Sequence, residues 1–530
     1  MRASLTEFAT MKSLFAALAT AVVLQIAAPS IALAAPGLPS NNLPWLSAAS
    51  DAEVDRAFAQ ARAAKKPLLL YWGASWCPPC NQLKATLFNR QDFAALSRSF
   101  VAVHVDGDRP GAQRLGQRFK VSGYPTVVLF NGEGAEITRL PGEVDAAQVM
   151  QVLQLGLTGG RPIAAVLADA RAGKPLPAND WRMLAFYSWD TDEQQLVPKA
   201  DVPGLLAQLA AASPAADAET TTRLWLKALA GSDEGKGVKP DAALAQRVQR
   251  VLGDAAQSRL YMDVISNGAT DIVRTLTDED SADRGTLLAL FETSLKRFEA
   301  DTTLSRGDRL GALAARVRLA RLGQPKDAVQ VKLPAALLDD VRAHAARADR
   351  EISDPYERQA VIPDASYVLG LAGLWSESDA LLKANLKKSI SPYYLMSGLA
   401  GNARKLGKKD EALRWYQQAF DKSEGPATRL QWGASYLGAL VELAPQDAAR
   451  IEKTSAQLIS EAARDAGAFE GRSLRAMQRV STRLVSWNVS GKQTATLRRL
   501  QAKLDPLCAK VDAGQKSACN ALLKPAAGKA

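Results

Sequence analysis

The sequence of 530 residues predicts an α/β domain with a central mixed sheet flanked by helices, followed by a much longer all-α region. Two observations predict this division. Between residues 45 and 158, short apolar runs alternate with amphipathic segments, as strands alternate with helices. From residue 159 to 530, only amphipathic segments of helix length remain, joined by short polar turns. The chain is also too long for one compact domain.

Composition narrows the class of protein. Hydrophobic residues make up 47% of the chain and charged residues 23%, which is typical of a soluble globular protein. Aromatic residues are only 6% and alanine is abundant, which favours helices. The net charge is +11, but Lys and Arg are dispersed among acidic residues. We therefore expect a mixed solvated surface and no nucleic-acid partner.

The N-terminus predicts export. Lys12 precedes an apolar run from Leu14 to Ala28, and Ala32-Leu33-Ala34 is a small-x-small cleavage site. We interpret residues 1–34 as a signal peptide, with Met1 or Met11 as the start, and residues 35–44 as a linker. An uncleaved anchor is the alternative, but about fifteen apolar residues are short for a span of about 20. We expect a periplasmic protein with no stable membrane insertion after cleavage.

The first domain is predicted element by element from its apolar runs and turn signals. A first helix is capped by Ser50 or Asp51 and ends near Lys65. The hairpin turn Asn131–Gly134 joins the last two strands. The predicted strands are Leu68–Trp72, Phe100–Asp106, Thr126–Phe130 and Ala135–Leu140. The later predicted helices are Asn81–Leu87, Gln113–Phe119 and Asp145–Leu157.

The segment Trp76-Cys77-Pro78-Pro79-Cys80 lies between the first long strand and a helix. Cys77 at a helix N-terminus is favoured as a thiolate by the free N–H groups and the helix dipole. Cys80, one turn later, can attack a mixed disulfide on Cys77. A Cys-x-x-Cys pair can also be half of a zinc site. The other cysteines, Cys508 and Cys519, have the wrong spacing for a second such pair, so we favour redox chemistry and no metal.

Together with Gly123–Thr126 and Gly142, this segment resembles the thioredoxin superfamily over roughly residues 43–158. The stretch 51–80 most resembles thioredoxin-like domains of periplasmic thiol:disulfide interchange reductases. The resemblance implies that Cys77 and Cys80 are catalytic and form a redox disulfide. It also implies that Pro125 is cis and packs beside Cys77, and that Trp76, Tyr124 and Pro125 form the substrate groove. The expected partners are proteins with disulfides and a membrane or periplasmic thiol reductant, with no cofactor.

The sequence departs from the family pattern at a buried charged pair. Tyr71 stands where thioredoxins usually carry Asp, and Ala102 stands near a usual Lys. The alternatives for deprotonating Cys80 are water, His104 and Lys84, and we favour water. A lone histidine such as His104 is more often a packed or surface residue than a catalytic one.

The two prolines between the cysteines lack N–H groups, so the Cys77 sulfur retains chiefly the Cys80 amide as a donor. Because the thiolate is less stabilised, the disulfide is less oxidising, which predicts a reduction potential typical of a reductase or an isomerase.

The second region contains repeated amphipathic segments of about 12 to 20 residues. Examples are Arg309–Leu322, Leu333–Ala346, Tyr394–Leu406, Asp410–Lys422 and Leu430–Leu443. The pattern Leu399, Ala400, Leu406-Gly407, Ala412, Tyr416 and Ala419 resembles a tetratricopeptide repeat, with a weaker predecessor containing Ala380. The clearest repeats span about residues 360–424. Such arrays bind proteins on a concave face, and the alternative is a helical region that only shields the redox domain.

Cys508 and Cys519 flank the turn signal Asp512-Ala513-Gly514. A helical hairpin brings them within disulfide reach, which one continuous helix would not. We expect a structural disulfide, and a second redox centre is the alternative.

These observations favour an exported thiol-disulfide oxidoreductase that reduces or isomerises protein disulfides. The alternative is a periplasmic adaptor in which the helical array binds partners and the first domain is a docking or redox-sensing module.

Overall fold

The computed structural model describes residues 43–121, 123–140, 145–232 and 237–524. All of these residues fall within one compact unit. The predicted signal peptide, most of the predicted linker and Gly142 lie outside the described residues. Within the described residues, no helix is both long enough and apolar enough to cross a membrane.

A five-stranded mixed sheet forms the centre of the α/β part. The strands are β1 (Leu46–Ala48), β2 (Leu68–Gly73), β3 (Val101–Asp106), β4 (Thr126–Phe130) and β5 (Glu136–Leu140), in the order β1-β3-β2-β4-β5. β3 pairs in parallel with β1 and β2, whereas β4 pairs antiparallel with β2 and β5. β1 was not predicted, because three residues are too short to show an alternating pattern.

Among the helices that flank the sheet, α1, α4 and α5 begin within one residue of their predicted starts. The helix predicted at Asn81–Leu87 begins earlier, at Pro78, because proline fits the first turn of a helix, and α3 was not predicted. α1 begins after Ser50, whose hydroxyl accepts from the Glu53 amide while the Glu53 carboxylate accepts from the Ser50 amide. α5 begins after Asp145, whose carboxylate accepts from two backbone amides. The bounds are α1 (Asp51–Ala64), α2 (Pro78–Leu83), a π-helical turn (Lys84–Phe88), α3 (Gln91–Leu96), α4 (Ala112–Arg118) and α5 (Ala146–Leu157). The structure confirms the predicted α/β fold.

The rest of the described chain is helical, which confirms the predicted all-α region. The helices are α6 (Ile163–Arg171), α7 (Ala178–Phe186), α8 (Val202–Ala212), α9 (Ala218–Ala230), α10 (Ala242–Gly253), α11 (Ala255–Leu260), α12 (Met262–Leu276), α13 (Ala282–Ala300), α14 (Arg306–Ala320), α15 (Ala335–Glu351), α16 (Pro355–Leu371), α17 (Trp375–Asn385), α18 (Pro392–Lys405), α19 (Lys409–Lys422), α20 (Pro426–Leu443), α21 (Ala448–Ala462), α22 (Gly471–Trp487), α23 (Thr494–Lys510) and α24 (Ala513–Asn520). Helices α16 to α20 pack on one another in sequence order. The tetratricopeptide assignment and the domain boundaries stay predictions.

The apolar cores run across the junction between the two parts of the chain. One core joins sheet residues such as Leu69 and Leu129 to helices of the early all-α region. A second core contains Cys77 and Cys80 together with apolar side chains of α18 to α24. In addition, α16 packs directly against α2. The all-α region therefore reaches the segment that carries the two cysteines.

Candidate active site

The two cysteines lie at the beginning of α2. Cys77 is the N-cap residue, and its sulfur accepts a hydrogen bond from the Cys80 amide at 3.2 Å. Pro78 and Pro79 occupy the first turn and have no N–H to donate. The two cysteines form a disulfide with 5.2 Å between their Cα atoms. This arrangement places one sulfur at a helix N-terminus, where a thiolate is favoured on reduction.

Trp76 and Tyr124 lie against each other beside this disulfide. Their ring centroids are 5.9 Å apart, and both side chains belong to or pack against the core that contains Cys77. The Tyr124–Pro125 peptide bond is cis, as the family resemblance implied. The Tyr124 hydroxyl accepts a hydrogen bond from Gln113 Nε2 at 2.8 Å. The structure thus brings Trp76 and Tyr124 together, and it does not test the substrate-binding role predicted for them.

Helices of the all-α region cover this face of the α/β part. We call α16, α18, α20 and α22 the cover, because each helix contributes a contact to Trp76. Gln359 of α16 donates to the Trp76 carbonyl at 2.9 Å. The Trp76 ring is also contacted by Tyr394 of α18 at 5.9 Å, by Trp432 of α20 at 6.4 Å and by the Arg472 guanidinium of α22 at 4.7 Å.

The cover buries Trp76 and both cysteines of the Cys-x-x-Cys segment. Cys77 is only 1% exposed and Cys80 is 0% exposed. Trp76 is 6% exposed, because aromatic side chains of the cover occupy the surface on which an extended substrate was expected to bind. These contacts bury apolar area that would otherwise face water, which stabilises the covered state.

Asp108 connects Trp76 to the cover. Its carboxylate accepts a hydrogen bond from Trp76 Nε1 at 2.7 Å. It also accepts from the Thr428 amide at 3.0 Å and from the Thr428 hydroxyl at 2.6 Å. Burial raises the pKa of Asp108 to about 6, partly offset by these donors. Asp108 follows β3 and Thr428 lies in the first turn of α20, so the pair joins the α/β part to the cover.

Behind the disulfide lies the cluster that replaces the usual buried charged pair. Tyr71 and His104 are paired across β2 and β3, and their rings stack with centroids 5.0 Å apart. Burial, followed by the charges of Lys84 and Arg109, lowers the pKa of His104 to about 3. His104 is therefore a packed neutral histidine at ordinary pH, which agrees with the interpretation of it as structural.

Lys84 is a further buried polar side chain near this cluster. It lies one turn after Cys80 and is 4% exposed, and its ammonium has no hydrogen-bond partner among the described residues. The Tyr356 ring centroid lies 5.4 Å from its nitrogen. Burial lowers the pKa of Lys84 to about 8, against a smaller opposite effect of Asp106. A buried lysine with this pKa can exchange protons near neutral pH, which His104 cannot.

The second cysteine pair lies in the C-terminal hairpin. Cys508 of α23 and Cys519 of α24 form a disulfide with 5.5 Å between their Cα atoms. Both residues are buried in the same core as Cys77. Over the described ranges, no group of three or more His, Cys, Asp or Glu residues is arranged to hold a metal ion.

Comparison with known proteins identifies the α/β part. A family model described as a thioredoxin-like domain matches residues 54–156. This part of the chain is a thioredoxin-like domain. The chain is 30% identical over 134 residues to thiol:disulfide interchange protein DsbD 1 of Pseudomonas aeruginosa, covering 24% of this chain and 22% of that protein. It is 32% identical over 106 residues to DsbD of Vibrio vulnificus, covering 19% and 18%.

The chain therefore spans about a fifth of the length of these relatives. Among solved structures, thioredoxin O1 from Arabidopsis thaliana in the oxidised state is 21% identical, with a TM-score of 0.17, covering 21% of this chain and 94% of that one. The family-model match, together with the similarity to DsbD proteins, supports thiol-disulfide chemistry in this chain.

Sequence reasoning missed the residues of the cover and Asp108. Each cover residue lies about 280 or more positions from Trp76, and no local pattern distinguishes Gln359 or Arg472 from other polar residues of amphipathic helices. Asp108 lies just after the end of β3, and no motif there distinguishes it. The one signal that would have pointed to Asp108 is its position: it is a charged side chain just after a strand that neighbours the strand leading to the Cys-x-x-Cys segment.

Proposed function

We propose that this protein is a thiol-disulfide oxidoreductase that reduces or isomerises disulfides in other proteins. The observation that carries the proposal is the Cys77–Cys80 disulfide at the beginning of α2 within a thioredoxin-like domain. A sulfur at a helix N-terminus gives a nucleophilic thiolate, and a second sulfur in bonding distance allows the mixed disulfide to be resolved.

In the proposed reaction the protein begins with both cysteines reduced. The Cys77 thiolate attacks one sulfur of a substrate disulfide, forming a Cys77–substrate bond and releasing the other substrate sulfur as a thiolate. Cys80 then loses its proton and attacks the Cys77 sulfur, which releases the second substrate thiolate. Two electrons pass from the cysteine pair to the substrate, and Cys77–Cys80 becomes the disulfide seen in the structure. A membrane or periplasmic thiol reductant restores the dithiol.

Two features support a reductase-like or isomerase-like potential. The Cys77 sulfur accepts a hydrogen bond from the Cys80 amide, and the intervening prolines supply no further N–H. A thiolate with few donors is stabilised less, so its disulfide is a weaker oxidant. Equilibration with glutathione buffers tests this, and a potential near about −120 mV would contradict it.

We also propose that the protein acts in the periplasm after cleavage of residues 1–34. Support comes from the signal-like sequence around Lys12 and Ala34 and from the Cys508–Cys519 disulfide, since structural disulfides persist in oxidising compartments. N-terminal sequencing of the protein from a periplasmic extract tests the cleavage site. Recovery with residues 1–34 still attached would contradict it.

The experiment that tests the activity is insulin reduction by the wild type and by Cys77→Ser. We expect turnover by the wild type and none by the variant. Cys80→Ala should trap substrates on Cys77, because the resolving step is lost. The trapped proteins then identify the natural substrates.

A second candidate function is favoured by the burial of Cys77. A periplasmic adaptor would bind partners through the all-α region and use the covered disulfide for docking or redox sensing. Absence of insulin reduction by the fully reduced wild type would favour this function over the first.

A further inference from the structure

A cavity lies beside Trp76, between the helices of the cover. Its volume is about 620 Å³, and Trp76 forms part of its wall together with residues of α16, α18, α20 and α22. A cavity of this size holds a short peptide segment or another ligand of similar size, but no folded domain. Trp76 is bonded to Cys77, so its Cα lies about 3.8 Å from that of the nucleophile.

The charge of the wall is strongly unequal. Arg321, Lys326, Lys405 and Arg472 line the cavity against one carboxylate, Asp364. None of the four cations lies within salt-bridge distance of a carboxylate in the described part of the chain. Arg321 donates only to backbone carbonyls, and the Arg472 guanidinium lies over aromatic rings. The wall is therefore complementary to a ligand with carboxylates.

Aromatic side chains form the apolar part of the same wall. Trp76, Tyr394 and Trp432 lie at the site, and Tyr367 of α16 is 52% exposed although it is large and apolar. An exposed aromatic next to cations is typical of surfaces that bind peptides. Since the cover buries Cys77, a folded protein has no direct approach to the sulfur, whereas a flexible segment can enter a cavity.

We propose that this cavity binds an extended, acidic segment of the polypeptide whose disulfide is reduced, so that the segment is held next to Trp76. The inference rests on the proposed function, and it adds a substrate class to it. The cationic wall selects the segment, and the cover then shifts to let the substrate disulfide reach Cys77. The exchange itself is the two-electron transfer described above.

Two peptides of eight residues test this. Each carries one cysteine as a mixed disulfide with 2-nitro-5-thiobenzoate, flanked either by Glu or by Lys. Release of the coloured thiol is followed after mixing with the fully reduced protein. We expect the Glu peptide to react about tenfold faster at low ionic strength, and we expect the ratio to fall as salt is added. Equal rates, or a faster Lys peptide, would overturn the inference.

Charge-reversal variants assign the effect to the cavity. Lys405→Glu and Lys326→Glu change exposed residues of the wall, so folding should be retained. Each should reduce the preference for the Glu peptide severalfold. Lys453→Glu is the matched control, because Lys453 is exposed on α21 outside the cavity. An equal loss of preference in Lys453→Glu would overturn the assignment to this cavity.

A binding measurement separates this inference from the proposed function. Glu and Lys peptides with Ser in place of Cys are titrated into the oxidised protein by calorimetry. Tighter binding of the Glu peptide supports the cavity inference even if no disulfide reacts, in which case the proposed function fails alone. If the reduced protein reacts equally fast with both mixed-disulfide peptides and binds both Ser peptides equally, the result supports the proposed function and overturns the inference.

Discussion

At the scale of single residues, Lys84 shows how the fold accommodates the loss of the usual buried charged pair. Its ammonium is buried without a hydrogen-bond partner among the described residues, beside a sheet that carries Tyr71 and His104. A buried, unpaired ammonium destabilises the folded state. Because burial lowers its pKa to about 8, Lys84 is a better candidate than His104 for accepting the proton of Cys80. From the sequence, water was favoured over both side chains.

Lys84→Met should stabilise the protein. The folded pKa of Lys84 is about 8, below its ordinary value of 10.5, so the unfolded state binds more protons between these values. The wild type is therefore penalised below pH 8 and recovers as the pH rises toward 10.5. We expect the variant to raise the free energy of unfolding at pH 7 by roughly 1–3 kcal/mol, with a smaller difference at pH 10.

Urea unfolding at pH 7 and pH 10 measures this difference. Lys453→Met is the control, because its side chain is exposed and its replacement should change stability by less than about 0.5 kcal/mol. A destabilised Lys84→Met variant at pH 7 would show that the ammonium has a partner that compensates for its burial.

Thr428→Val tests the contact between Asp108 and the cover. The variant keeps the side-chain shape and removes a hydroxyl that donates to the Asp108 carboxylate. The pKa of Asp108 is raised from 3.8 to about 6 in the folded state, so the folded state binds more protons between these values. Asp108 therefore contributes most to the stability of the fold at low pH, and this contribution is lost as the pH rises through 6. Losing a donor raises this pKa further. We expect a loss of roughly 1–3 kcal/mol at pH 8 and a smaller loss at pH 5.

Denaturant unfolding at the two pH values checks this expectation. Thr220→Val is the matched control, since the Thr220 hydroxyl is buried but has no partner among the described residues. Its replacement should have little effect at either pH. If Thr428→Val lowers the free energy of unfolding equally at pH 5 and pH 8, the contact with Thr428 is no stronger when the Asp108 carboxylate is ionised.

At the scale of elements, the sequence predicted the strands β2 to β5 and the helices α1, α4 and α5 to within one or two residues at most ends. These elements have local signals: the Ser50 capping box, the four-residue turn Asn131–Gly134 and apolar runs of strand length. β1 has only three residues, so its pairing with β3 is decided by tertiary contacts. Local signals therefore predict element type, and long-range contacts decide the shortest element.

The C-terminal hairpin anchors a loop that reaches the thioredoxin-like domain. Gln515 of α24 accepts from the Phe469 amide and donates to the Ala466 carbonyl. In the same loop, Asp465 accepts from the Gly111 amide of the thioredoxin-like domain. The Cys508–Cys519 disulfide joins α24 to α23, so we expect it to help hold this loop in place.

Replacing both cysteines by serine, Cys508→Ser with Cys519→Ser, should lower the free energy of unfolding by about 2–3 kcal/mol, because a closed loop restricts the unfolded chain. Hydrogen exchange should become faster first in α24 and in the loop around residue 466. Unchanged exchange in this loop would show that the hairpin does not anchor it. Insulin reduction by the variant should persist, since Cys77 and Cys80 are intact.

At the scale of the whole molecule, the cover was the feature that the sequence did not predict. Gln359 and Trp76 are separated by 283 positions, and Thr428 and Asp108 by 320. Neither contact has a signature in one sequence, because polar residues on amphipathic helices are usually solvated. The chemistry of the cysteine pair could be predicted because the Cys-x-x-Cys pattern is local. The burial of the two cysteines could not, because it arises only when distant helices pack on them.

The cover should control the rate at which the Cys77–Cys80 disulfide reacts. Cys77 is 1% exposed, so its sulfur reacts with a reductant only after local opening, and the rate follows the free energy of that opening. Gln359→Leu removes the hydrogen bond to the Trp76 carbonyl without adding much volume. A loss of about 1.4 kcal/mol in the covered state corresponds to roughly tenfold faster reduction.

Reduction by dithiothreitol, followed by alkylation and peptide mass spectrometry, measures this rate for each disulfide separately. The Cys508–Cys519 disulfide is an internal control, because it is also buried but lies far along the chain from Gln359. We expect Gln359→Leu to accelerate reduction of Cys77–Cys80 alone. If both disulfides accelerate equally, the variant has destabilised the whole molecule, and if neither does, the hydrogen bond to Trp76 does not hold the cover closed. A selective effect would mean that the all-α region sets the reactivity of the thioredoxin-like domain.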